Sequence, residues 1–114
     1  MPRRVFQPTV GQAVITDTRP LAEAKVERIA AVKDEARRRI LAIAPEWKQA
    51  NLTARAAELT DIKHGRALTG PEQAEETAIR AVWSQIKAIR TASDAAETAI
   101  NAAGSNAAVE AVPF

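Results

Sequence analysis

From about position 20 to position 102, apolar residues recur every three or four places, the spacing that gathers them on one side of a helix. Val26, Ile29, Lys33, Ala36, Ile40, Ile43 and Trp47 follow one another at alternating steps of three and four, a seven-residue period that forms a narrow seam. Lys33 is the one polar member. Ile79, Val82, Ile86, Ile89, Ser93, Ala96 and Ile100 repeat the period later in the chain.

Between the two seams the pattern changes phase. Pro45 removes a backbone donor, and its ring collides with the carbonyl of Leu41. Beyond it the first seam would continue onto Ala50, Ala54 and Ala57, whereas the larger Leu52, Leu59 and Ile62, with Ala56, mark a different stripe. This predicts helices over 20–44, 45–63 and 71–102, the second kinked relative to the first and the third folded back antiparallel through 64–70.

Local signals set the ends. Thr18 can cap the first helix, and Pro20 is tolerated in a first turn. Gly65 offers the left-handed residue that commonly ends a helix. Thr69-Gly70-Pro71-Glu72 fits a capping box, in which hydroxyl and carboxylate satisfy free N–H groups reciprocally. Thr91-x-x-Asp94 offers an alternative start within the last helix. Asp34–Arg38 and Glu35–Arg39 are acid-before-base pairs one turn apart. Residues 103–106 form a break, 107–112 suit one short capped turn, and Phe114 is either an anchor or a solvated end.

Residues 1–19 never sustain helical spacing and contain Pro2, Pro8 and Gly11, which predicts an extended arm. Its apolar residues Val5, Phe6, Val10, Val14 and Ile15 are the candidate contacts with a neighbouring protein. The fold class expected is all-α: a long helical hairpin or three-helix bundle with heptad seams, led by an extended N-terminal arm and assembled as an oligomeric stalk.

Composition explains why assembly enters. Alanine supplies much of the 46% hydrophobic content. It buries little area at roughly 25 cal/mol per Å², so an isolated monomer is expected to be marginal. The narrow seams point to self-association, with a trimer favoured.

The formal charge of +2 is too small to drive sequence-independent nucleic-acid binding. Its distribution is uneven: residues 1–66 carry 13 basic and 8 acidic side chains, and residues 67–114 carry 3 and 6. The two halves attract each other. Without cysteine, disulfides, thiolate catalysis and Cys-based zinc sites are excluded. Arg3 and Arg4 are followed by no apolar export segment, and no run approaches the ~20 apolar residues that cross a bilayer, so a soluble, untargeted protein is expected.

No catalytic set emerges. His64, the single histidine, has no partner fixed by sequence spacing, and suits a helix terminus better than general base or metal chemistry. Asp34-Glu35 and Glu75-Glu76 are adjacent carboxylates, which diverge by about 100° on a helix among salt-bridging arginines. There is no phosphate loop, nucleophile elbow or His-x-x-x-His pair. An enzyme is not expected, nor a cofactor or metal. Lys33 with Arg37, Arg38 and Arg39 is the candidate nucleic-acid surface, tempered by Asp34 and Glu35 and by the lack of interleaved aromatics. Trp47 and Trp83 are candidate aromatic anchors, in a core or at an interface.

The stretch from Val32 to Leu59, with Pro45-Glu46-Trp47-Lys48-Gln49 and Asn51, and the stretch from Ala81 to Ile100, with Trp83, Ile86-Lys87-Ala88-Ile89-Arg90 and Ser93-Asp94, resemble a helical module of virion-associated proteins. That module recurs in tail-fibre-related and similar structural proteins of tailed phages and prophages, notably alphaproteobacterial ones. The resemblance covers well over half the chain and brings no enzymatic residues. It implies a structural part of a phage particle, fibre- or tail-associated or a head decoration, assembled in the bacterial host cytoplasm and bound to other virion proteins through the arm. Two rival readings are a helical nucleic-acid-binding packaging accessory and a transient virion assembly chaperone.

Overall fold

The computed structural model describes residues 4–9 and 12–114, with 4–9 and 12–17 described by backbone alone. The protein is mostly helical. Two short strands, β1 (Arg4–Thr9) and β2 (Gln12–Asp17), precede helices α1 (Leu21–Ile43), α2 (Glu46–Gly65), α3 (Gly70–Ala102) and α4 (Asn106–Glu110). It divides into two compact units, Met1–Asp34 with Ser93–Phe114, and Glu35–Ala92. Helices α1 and α3 each contribute to both.

In the first unit the segment expected as a single extended arm is paired with itself. β1 and β2 form an antiparallel ladder that sets Phe6 opposite Ile15 and Arg4 opposite Asp17. β-branched Val5, Thr9, Val14, Ile15 and Thr16 suit a pleated backbone, and Pro8 is tolerable because a two-stranded ladder has only edge strands. The three- and four-residue spacing sought along the chain is blind to this alternation of period two.

Helix α1 begins as Ala24 N–H donates to the Pro20 carbonyl at 3.1 Å. Leu21, Ala24, Ile29 and Val32 pack with Ala96, Ile100 and Ala103 of the α3 end and with Val109, Val112 and Phe114. Ala24, Ile100 and Val109 are fully buried. Polar contacts fasten the C-terminal segment. Arg28 Nη2 donates to the Val112 carbonyl at 2.6 Å, Asn106 Nδ2 to the Arg19 carbonyl at 2.8 Å, and Lys25 Nζ to the Asn101 carbonyl at 2.8 Å. The Ser105 hydroxyl accepts from Ala108 N–H at 3.1 Å, capping α4. Phe114 is therefore an anchor.

In the second unit, Pro45 ends α1 and opens α2 from an extended conformation, φ −55° and ψ 159°. The Gln49 side chain donates to the Ala44 carbonyl at 2.8 Å, satisfying an acceptor that the break leaves free. At the other end of α2 the expected left-handed glycine is absent. Gly65 is the last helical residue, and Arg66 stops the helix in extended geometry, φ −163° and ψ 166°. Arg66 N–H donates to the Ile62 carbonyl at 3.0 Å, and its side chain holds Glu72 by two bonds of 2.7 and 3.0 Å.

The capping box forms in both directions: Thr69 N–H donates to Glu72 Oε1 at 2.8 Å, and Glu72 N–H donates to Thr69 Oγ1 at 3.3 Å. Beyond it α3 runs 33 residues without the alternative start at Thr91. Leu52, Ala56, Leu59 and Ile62 of α2 pack with Leu68 and with Ile79 and Trp83 of α3. Arg55–Glu75 at 2.9 Å and Lys63–Glu76 tie the two antiparallel helices along one side.

Arg66 and the Thr69 N–H hold the Glu72 carboxyl down to about 2 from an ordinary 4.5. A depressed carboxylate contributes stability that is complete above the unfolded value and lost as pH falls through the folded one. Glu72 therefore contributes fully above about pH 4.5, and progressively less down to pH 2. Thr69→Ala is expected to lower unfolding stability by about 1 kcal/mol at pH 7, read from urea midpoints. Glu72→Gln is expected to flatten the wild-type dependence between those pH values.

Candidate interaction surfaces

The chemistry-bearing side chains are distributed along helices and do not converge. Among the described residues no group of three or more His, Asp or Glu could hold a metal ion, and no helix is long and apolar enough to cross a membrane. His64 is exposed at the end of α2.

The basic candidates are occupied by carboxylates. Arg38 and Arg39 both reach Glu35, at 2.7 and 3.0 Å, and hold its carboxyl below the usual range, Arg38 contributing most. Arg38 turns to Glu35 and not to Asp34, the partner expected from spacing. Arg37 lies 3.7 Å from Glu46, and Lys33, in the first unit, 3.8 Å from Glu97. A phosphate backbone would compete with a carboxylate at every one of them.

The apolar candidates separate by face. On α3, Ile79, Ile86, Ser93, Ala96 and Ile100 are buried, while Val82 and Ile89 are half-buried. On α1 the packed stripe differs from the one read by spacing. Ala24, Val32, Ala36 and Ala44 are buried, and Ile29, Ile40 and Ile43 only half-buried. Val26 is 68% exposed, and Lys33 is on the surface with it. The stripe buried within the chain runs through small residues, Ala24, Val32, Ala36 and Ala44, whose size lets another helix approach closely. Leu21, Ala24, Arg28 and Val32 also follow steps of three and four, and that alternative seam was available in the sequence. Leu68, Val109 and Val112 are buried outside any helical repeat, and no periodicity would have found them.

The two tryptophans divide likewise. Trp83 packs against the α2–α3 core, whereas Trp47, in the first turn of α2, is 68% exposed. Val10 lies outside the described residues. Val5, Phe6, Val14 and Ile15 are placed within the ladder by register alone.

Residues of α2 and α3 line a cleft of ≈ 380 Å³ that begins at Lys48, the residue after Trp47. Leu52, Ala78, Ile79 and Val82 make it apolar, and Lys48, Asn51 and the Arg55–Glu75 pair complete the lining. Arg55 donates to both Glu75 oxygens at 2.9 Å and to Glu58 at 2.8 Å, so its planar head is fixed at the cleft. Arg55 in turn holds the Glu75 carboxyl below its ordinary range. Such an arrangement can grip an apolar group with one polar edge. Comparison of the chain with family models, with curated proteins and with solved structures returns no match.

Proposed function

We propose that this chain is a structural component of a tailed-phage or phage-like particle, fibre-, tail- or head-associated, that attaches to other virion proteins through its N-terminal segment and associates with itself through its helices. The observation that carries this reading is Trp47. A large aromatic side chain left 68% exposed is of the type that anchors interfaces, giving wide contact area at low entropic cost. It sits in Pro45-Glu46-Trp47-Lys48-Gln49, the stretch that carries the resemblance to virion structural proteins. The hairpin supports attachment, since two strands alone are marginal and leave both edges open to pairing with another sheet.

The test is purification of particles from a strain carrying the gene, with quantitative mass spectrometry across a density gradient. The chain is expected to band with the particles at constant ratio to the major structural protein, and a version lacking residues 1–17 is expected to leave them. Full expression with no chain in mature particles would overturn the virion reading and favour a transient assembly role.

A further inference from the structure

We infer that α4 clamps the joint between the β1–β2 hairpin and α1, and that this clamp fixes the direction in which the hairpin leaves the first unit. The orientation stands by itself; its use, to present the hairpin already aimed at a partner, rests on the attachment reading above.

The joint is short. Asp17 ends β2 and Leu21 begins α1, so Thr18, Arg19 and Pro20 alone connect them, and their backbone torsions set the direction of the ladder. The ring of Pro20 locks its own φ and disfavours helical geometry at Arg19. The Pro20 carbonyl accepts from Ala24 N–H at 3.1 Å, which ties that residue into the first turn of α1.

α4 acts on the residue between. Asn106 and Glu110 lie four positions apart and share one side of the helix. Asn106 Nδ2 donates to the Arg19 carbonyl at 2.8 Å, holding the peptide plane between Arg19 and Pro20. Glu110 lies 3.3 Å from Arg19 Nη2, and Glu27 of α1 takes Nη1 of the same guanidinium. Backbone and side chain of one joint residue are therefore held together, and the side chain is only 19% exposed.

These contacts differ from the others that fasten the C-terminal segment. Lys25 and Arg28 already tether it to the body of α1, through the carbonyls of Asn101 and Val112, and Val109 is fully buried. α4 is thus seated without Arg19. The bonds of Asn106 and Glu110 land outside α1, on the connector to the hairpin. A hairpin held in one direction loses less freedom when it docks.

The test uses the full chain. It carries no cysteine, so Gln7→Cys in β1 and Ala30→Cys at an exposed position of α1 each accept one spin label, and pulsed electron resonance reads the distribution of distances between them. A narrow distribution is expected. Arg19→Ala combined with Asn106→Ala should widen it about twofold or more, as torsions released from a single well would, with helicity unchanged by circular dichroism. Glu110→Ala, which leaves the Asn106 bond in place, should widen it less. Lys25→Ala removes a tether of the same unit that does not touch the joint, and should leave the width unchanged. A distribution already broad in the wild type, one that stays narrow in the double variant, or equal widening by Lys25→Ala overturns the clamp. If the double variant loses helicity, Glu110→Ala decides, and an unchanged width there counts against the proposal. Attachment is read separately, from the version lacking residues 1–17, so either reading can fail without the other.

Discussion

Val109→Asp is expected to be the most damaging single substitution in the first unit, lowering its stability by about 3–5 kcal/mol through an uncompensated buried charge. Val109 is fully buried, and packs with Val32, Ile100 and Val112. The hydrogen bonds nearby, from Arg28 to the Val112 carbonyl and from Asn106 to the Arg19 carbonyl, are already committed to backbone acceptors. Since a whole domain is stable by only about 5–15 kcal/mol, the variant is expected to lose most of its helical signal in a thermal melt near neutral pH. Val109→Ile, which keeps the site apolar, is expected to melt much closer to wild type. Similar melting curves for the two variants would show that the C-terminal segment contributes little to the core.

Leu59→Ala is the corresponding test of the second unit, with an expected loss of about 2–5 kcal/mol. Leu59 is fully buried against Ile79 and Leu68, and has half-buried Leu52, Ala56, Ile62 and Trp83 around it. The cost combines lost apolar burial with the cavity left behind, and here the surrounding side chains are few. Leu59→Met preserves volume and is expected to cost less than about 1.5 kcal/mol. Guanidinium titration followed by Trp83 fluorescence in a Trp47→Phe background reports on this core alone. A loss under 1 kcal/mol for the alanine variant would mean that α2 and α3 are held chiefly by Arg55–Glu75 and Lys63–Glu76.

Trp47 differs from Val109 and Leu59 in being left exposed by the fold. Its exposure contrasts with Trp83, which has the same chemistry and serves the core. Trp83 stands one turn from Ile79 and from Ile86, whereas Trp47 follows Pro45 between Glu46 and Lys48. Lys33 shows the opposite case. It reads as an intruder in an apolar seam, and the anomaly disappears once α1 is seen to pack through Ala24 and Val32, with Lys33 facing Glu97.

What the amino-acid sequence by itself determined are the features that depend on neighbours a few residues apart. Pro45 divides α1 from α2 because a proline ring and a missing donor act within one turn. Thr69 and Glu72 start α3 because a capping box closes over three residues. Ile79, Ile86, Ser93, Ala96 and Ile100 are the buried positions of α3 because residues at steps of three, four and seven gather on one face of a helix. Tertiary structure decided whatever depends on which surfaces meet. It pairs Arg4–Thr9 with Gln12–Asp17, turns α1 onto its alanines, buries Val109 and Val112, and leaves Trp47 exposed. Those outcomes turn on how closely two backbones can approach. That distance is set by the smallest residues on both partners at once, and a pattern read along a single strand of sequence records only one of them.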